Sequence, residues 1–221
     1  MSATNTRMNP VLRFPRPEAA IAVVAALAMI ALAATKASGA DLSSGELIVI
    51  GLRLAVPFLI FRFWLVGGIT VMLLDAADVI IIDLLGLGGF GDHYAELDKV
   101  LDSYYYVIEL VVALRWENPW MRWPAAALFA YRLIGAVLFE VSDTRLFLFL
   151  FPNLFENWWL YCVVVMKWFP SIVPHSWKST LIPLVLLLAP KLAQEYLLHV
   201  AEAKPWNWTK EHILDPIGLR P

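Results

Sequence analysis

Charged residues, cysteines and histidines are scarce in this chain, and each scarcity excludes a class of protein. Only 16% of the 221 residues are Asp, Glu, Lys or Arg, while 60% are hydrophobic. An average soluble domain has about 25% charged residues, so an ordinary soluble fold is excluded. The single cysteine, Cys162, cannot form an internal disulfide. The net charge of −2 and the lack of a basic block exclude the usual signature of nucleic-acid binding.

Familiar catalytic motifs are also missing. The sequence contains no P-loop, no Gly-x-Ser-x-Gly, no His-Glu-x-x-His and no Cys-x-x-Cys. The four histidines are dispersed and do not indicate haem ligation. Function must therefore be sought in residues within the apolar segments.

Long apolar runs predict an all-α fold, a polytopic transmembrane helical bundle, because about 20 apolar residues suffice to cross a bilayer. We expect a cytoplasmic tail over 1–18, a transmembrane helical domain over 19–203 and a C-terminal tail over 204–221. Six helices are predicted, or seven if the chain turns at Gly67-Gly68 and crosses again. The six predicted spans are 19–34, 47–74, 98–114, 123–141, 146–166 and 180–200.

The distribution of Lys and Arg predicts the orientation of the bundle. With six spans, the loops on the side of both termini carry more basic residues, which places the termini in the cytoplasm and the protein in the cell (inner) membrane as a multi-pass protein. Membrane lipids are the expected partners, and homo-oligomerisation is left open. Residues 1–40 could alternatively be a signal peptide that is cleaved.

Acidic residues interrupt the apolar runs. Asp75, Asp78 and Asp83 lie in one run, and Asp98 and Asp102 open the next. An ionised carboxylate in hydrocarbon costs several kcal/mol unless it is paired, hydrated or bound to a cation. These acids therefore indicate either a wet or metal-bearing site or a set of buried ion pairs.

One helix carries its acids on a single face. Asp98, Asp102, Tyr105 and Glu109 follow the spacing i, i+4, i+7 and i+11, which repeats on one side of an α-helix. The stripe extends over roughly 16 Å at about 1.5 Å per residue. Polar residues inside spans face a bundle interior or cavity, so we expect this stripe to point inward.

Two carboxylate pairs form the candidate site, one on each of two neighbouring helices. Asp75, Asp78, Asp98 and Asp102 are predicted to converge as metal ligands, because hard oxygen ligands suit Mg²⁺ or Mn²⁺. Such a cation could hold a diphosphate and stabilise charge on phosphoryl oxygens. His93, Glu96 or a remaining aspartate could then deprotonate an attacking alcohol.

This arrangement resembles the CDP-alcohol phosphatidyltransferases. That family has six helices and carries D-x-x-D-G-x-x-A-R followed by G-x-x-x-D-x-x-x-D, and the four aspartates match its acids in order. Val79 and Tyr94 replace two of its glycines, and Ile82-Asp83 replaces its Ala-Arg. The resemblance implies a metal-dependent transferase acting on lipid phosphates, with Asp75, Asp78 and Asp98 as metal ligands and Asp102 as the base.

Two other functions remain open at this stage. The acids could serve a cation- or proton-coupled carrier, or they could be structural pairs in a non-catalytic membrane scaffold. In the structural interpretation, Asp75 and Asp78 pair with Arg53 or Arg62. Buried pairing is likewise predicted for two further couples, Lys191 with Glu195 and Arg132 with Glu140.

Overall fold

A computed structural model describes residues 43–85, 94–142 and 144–217 of this chain. These residues form helices joined by short turns, with no strand among them, which confirms the all-α class. The α-helices are α1 Ser44–Ala55, α2 Leu59–Arg62, α3 Trp64–Leu85, α4 Tyr94–Ala113, α5 Pro119–Ser142, α6 Leu146–Leu150, α7 Leu154–Trp168, α8 Trp177–His199 and α9 Pro205–Thr209. Short 3-10 turns occur at Val56–Phe58, Pro170–Ile172 and Asp215–Ile217, and a π-helical turn at Lys210–Leu214.

The segment predicted as one span over 47–74 is in fact two helices. The α1–α2 segment runs to Arg62, and the chain reverses at Phe63, where φ is −130° and ψ is 62°. Helix α3 then returns alongside, so that Val49 packs against Ile82. The prediction of a single span over 47–74 is therefore wrong, and the turn lies before the two glycines rather than at them.

Gly67 explains how the two helices approach so closely after this reversal. A Cβ added at Gly67 would lie 2.5 Å from the backbone nitrogen of Ile60. Only glycine leaves room for this backbone contact. The glycine that the sequence offered as a turn signal is instead a packing position next to the turn.

Three helical segments of the described chain are long and apolar enough to cross a membrane: residues 44–62, 146–168 and 177–199. This finding agrees with a membrane protein. The predicted span over 19–34 and the alternative of a cleaved signal peptide lie outside the described residues. The described residues contain six long helical segments, because the predicted span over 47–74 is two helices. The predicted number of six is thus roughly compatible with the structure, and the reversal itself is the feature that the seven-helix alternative required, four residues earlier than Gly67.

Helix α8 shows the surface expected of a lipid-facing span. Leu181, Ile182, Val185 and Leu186 lie on it with at least half of each side chain exposed. In water such a face would be unfavourable, whereas in hydrocarbon it costs nothing. Helix α8 thus lies at the edge of the bundle with its apolar side outward.

Helix α7 forms the centre of the bundle. Trp158 and Trp159 are fully buried on it, and the indole N–H groups donate to the carbonyls of Met121 at 3.1 Å and Glu109 at 2.8 Å. In a membrane, helices associate through close packing and hydrogen bonds rather than through the hydrophobic effect. These two bonds tie α7 to α5 and α4 and fix the depth at which the acidic face of α4 meets α7.

Candidate functional site

Arg53 is the centre of the candidate site. It lies in the last turn of α1, and only 3% of its side chain is exposed. Helix α1 begins with a capping box in which Ser43 and Glu46 satisfy each other's backbone N–H groups. The capped helix carries Arg53 on the side that packs against α3 and α4.

All four predicted aspartates converge on this guanidinium. Nη1 donates to Asp78 at 2.6 Å and also to Asp98, while Nη2 donates to Asp75 and Asp102. The convergence predicted from the two carboxylate pairs is therefore present, with a cationic side chain at its centre. Their role as metal ligands stays a prediction.

Sequence spacing accounts for this geometry. Asp75 and Asp78 are three residues apart on α3, and Asp98 and Asp102 are four apart on α4, so each pair shares one helical face. The reversal at Phe63 lays α1 along α3 and brings Arg53 beside both pairs. The predicted pairing of Asp75 and Asp78 with an arginine is confirmed, and the arginine is Arg53 rather than Arg62. The additional contacts of Arg53 with Asp98 and Asp102 depend on that turn.

The four aspartates around Arg53 differ in how far their side chains are exposed to solvent. The side chain of Asp78 is 6% exposed, whereas those of Asp75, Asp102 and Asp98 are 28%, 25% and 37% exposed. Asp98 lies in the first turns of α4, so the cluster opens toward that end of the helix. The three more exposed carboxylates can therefore exchange protons or ions with the surroundings.

These three carboxylates also meet a geometric requirement for a cation. Oxygens of Asp75, Asp98 and Asp102 all lie within 4.8 Å of one another. Oxygen ligands of Mg²⁺ and Ca²⁺ lie about 2.0 to 2.6 Å from the ion, so this spacing fits a shared cation. Arg53 contacts the same three groups, and an arriving ion would have to replace some of its contacts.

A second buried polar network lies further along α4, beside the same face that carries Asp98 and Asp102. The Tyr105 hydroxyl donates to Glu156 at 2.7 Å, and the Asn153 amide donates to Glu156 at 3.1 Å and to the Tyr106 hydroxyl at 2.7 Å. The backbone N–H of Asn153 donates to Glu195 at 2.9 Å. Tyr105 thus connects the acidic face of α4 with the interior of the bundle.

Glu195 joins this network to two bases on its own helix. Lys191 lies 3.2 Å from one carboxylate oxygen, and His199 lies 3.0 Å from the other. The predicted pairing of Lys191 with Glu195 is confirmed, while the contact with His199 was missed. Its signal was present, because His199 follows Glu195 by four residues.

Arg132 has partners that were not predicted. It donates to the carbonyls of Leu148 at 3.1 Å and Phe151 at 3.0 Å, which close the turn between α6 and α7. The side chain of Glu140 lies outside the described residues, so its predicted pairing with Arg132 stays a prediction.

Two further predicted residues lie apart from the cluster. Asp83 accepts hydrogen bonds from Trp206 at 2.7 Å and Lys210 at 2.8 Å, which anchors the C-terminal segment to the end of α3. The hydrogen bonds from Lys210 and then Trp206 lower the pKa of Asp83 from its ordinary value of 3.8. His93, predicted as a candidate base, lies outside the described residues.

Comparison with known proteins does not assign the chain to a family. No protein-family model matches the chain, and neither a curated protein nor a solved structure matches it significantly. The function must therefore be argued from the arrangement of its own residues.

Proposed function

We propose that this protein is a cation- or proton-coupled membrane carrier, with Arg53 and its aspartates as the coupling site. One observation carries the proposal: a single guanidinium, almost fully buried, contacts Asp75, Asp98 and Asp102. One positive and three negative charges leave these four side chains at −2 if all are ionised.

A net charge of −2 on these four side chains makes further cation binding favourable. Two unit charges within 4.8 Å of each other repel by at least about 3.5 kcal/mol at an effective dielectric constant of 20. A proton or a metal ion at this site removes part of that repulsion. Because the three carboxylates are partly exposed, we expect the bound charge to be exchangeable, as a coupled carrier requires.

The guanidinium would act as a tethered competitor for the same oxygens. When a cation or proton neutralises part of the triad, Arg53 loses some of its attraction to α3 and α4. A ligand that binds one arrangement better than another shifts the balance between them. Occupancy of the triad would thereby be linked to the position of α1, which is the type of linkage that alternating access needs.

The proposal can be tested without knowing the transported substrate. The purified protein in weakly buffered detergent solution is mixed separately with Na⁺, K⁺, Mg²⁺ or Mn²⁺, and released protons are recorded with a pH indicator. A cation that replaces protons at the triad should release them from the native protein but much less from Asp102→Asn. Glu117→Gln is the matched control, because Glu117 is exposed and distant in sequence.

Flux provides the second arm of the test. The same variants are reconstituted in vesicles, and the internal pH is followed after a gradient of the responding cation is imposed. Asp102→Asn should abolish the pH change that native protein and Glu117→Gln produce. Equal proton release and equal flux in all three proteins would refute the proposal.

A divalent-metal-dependent transferase acting on lipid phosphates is the second candidate. It is favoured by the 4.8 Å spacing of the Asp75, Asp98 and Asp102 oxygens, which suits Mg²⁺ or Mn²⁺. These residues and Asp78 would hold the metal, which would stabilise negative charge on the phosphoryl oxygens. Asp102 would accept a proton from the attacking alcohol. A response to divalent ions alone, without flux, would favour this candidate.

The membrane assignment belongs to the same proposal. We place the protein in the cell (inner) membrane with both termini in the cytoplasm, in contact with lipids and open to self-association. The outward apolar face of α8 supports contact with lipid.

A further inference from the structure

Glu109 is a buried acid whose carboxylate has no hydrogen-bond partner in the described part of the chain. It lies on α4, its side chain is fully buried, and neither carboxylate oxygen has a hydrogen-bond partner among the described residues. Its backbone carbonyl accepts the indole N–H of Trp159, so the surrounding packing holds this turn of the helix in place. Buried carboxylates are rarely left in this condition, and each such group requires an explanation.

The surroundings of Glu109 supply acids rather than bases. From the helices packed against α4, the titratable groups that interact with it are Glu156 on α7 and Asp75 on α3. Glu156 already accepts hydrogen bonds from Tyr105 and Asn153. An ionised Glu109 would therefore face like charges in a medium of low dielectric constant, and no described residue brings a cation against it.

Position along the helix connects Glu109 to the Arg53 cluster. It follows Asp102 by seven residues, which is two helical turns or about 10 Å along the same face. Tyr105 lies between them and carries a hydroxyl hydrogen bonded to Glu156. The stripe predicted from the sequence thus runs from a partly exposed end at Asp98 to a fully buried end at Glu109.

We propose that Glu109 is a proton-binding site at the buried end of this stripe. The proton adds to one carboxylate oxygen and gives a neutral acid; when it leaves from that oxygen, the group regains one negative charge. A proton fits because it requires no further ligands, whereas a metal ion needs several oxygens around it. Proton binding at Glu109 does not depend on the proposed carrier function. The role of this proton as the coupling ion does rest on it.

Infrared spectroscopy can detect this proton directly. The purified full-length protein is titrated through neutral pH in detergent, and the carbonyl stretching band of a neutral carboxylic acid is recorded. We expect the native protein to show such a band that Glu109→Gln lacks. Gln has nearly the same shape as a protonated Glu, so this variant should fold, which its melting temperature will verify. Glu117→Gln should retain the band.

The outcomes separate this inference from the carrier proposal. Loss of the band in Glu109→Gln, together with loss of proton flux in vesicles, supports the proton as the coupling ion. Loss of the band with unchanged proton flux overturns that role. A band that persists unchanged in Glu109→Gln overturns the site itself, even if the Arg53 cluster proves to couple another cation.

Discussion

Replacing Arg53 by methionine tests the central electrostatic argument. Methionine keeps much of the apolar stem but removes the charge that contacts four carboxylates. Removing one partner of a buried ion pair typically costs about 3 to 5 kcal/mol, because the remaining charge stays buried without compensation. We expect Arg53→Met to lose stability of this order at pH 7.

The loss should be limited by proton uptake. Each pair of ionised groups in the Asp75, Asp98 and Asp102 triad repels by at least about 3.5 kcal/mol at an effective dielectric constant of 20. Protonating an aspartate of ordinary pKa near 3.9 at pH 7 costs about 4 kcal/mol, which is less than the repulsion from two neighbours. The folded variant should therefore bind at least one proton more than its unfolded chain.

This uptake gives the pH dependence a definite sign. Stability falls with rising pH wherever the folded state binds more protons, by about 1.4 kcal/mol per pH unit for each extra proton. Arg53→Met should consequently regain stability as the pH is lowered from 7 toward 5. Unfolding in detergent micelles, titrated with a denaturing detergent and followed by circular dichroism, measures this change.

The control is the same substitution at an exposed arginine. Arg62 ends α2 with an exposed side chain, so Arg62→Met should change stability little. Arg53→Lys keeps one charge without the planar fork and should fall between the native protein and Arg53→Met. The reasoning is refuted if Arg53→Met and Arg62→Met unfold alike at every pH.

Two further predictions concern packing and the C-terminal anchor. Gly67→Ala should lose roughly 1 to 3 kcal/mol by the same unfolding assay, since its Cβ would overlap backbone. Gly51→Ala, whose Cβ meets nothing within 4 Å, should instead be neutral or gain up to about 1 kcal/mol of helix propensity. Asp83→Asn should lose about 0.2 to 1 kcal/mol at pH 7 and low salt, because both side chains of its ion pair with Lys210 are about one-third exposed and solvent weakens their attraction. Since the folded pKa of Asp83 lies below 3.8, this contribution is present above pH 3.8 and should disappear as the pH falls through the folded pKa; equal losses at low and neutral pH would contradict it.

Local spacing predicted the parts of the site that lie on one helix. The pair Asp75 and Asp78, the pair Asp98 and Asp102, and the buried pair Lys191 and Glu195 all follow from helical periodicity. The all-α class follows in the same way from the long apolar runs. These predictions required only the knowledge of which residues share one face of a helix.

Contacts between helices depended on turns that the sequence does not mark. Phe63 is not a typical turn residue, so an apolar run that continues through it reads as one long span. With that turn missed, the approach of Arg53 to Asp98 and Asp102, 45 and 49 residues away, could not be derived. The bond from Tyr105 to Glu156 spans 51 residues and depends on how α4 packs against α7.

The acidic face of α4 connects the Arg53 cluster with the network of Glu156, Asn153 and Glu195. Asp98 and Asp102 belong to the Arg53 cluster, while Tyr105 donates to Glu156, whose partner Asn153 contacts Glu195. We expect a change in charge at either end to alter the potential at the other, because Tyr105 between them is buried and buried charges are screened less than exposed ones. Groups coupled in this manner bind protons as a set rather than one by one. The protonation of this bundle should accordingly be treated as a property of the whole stripe.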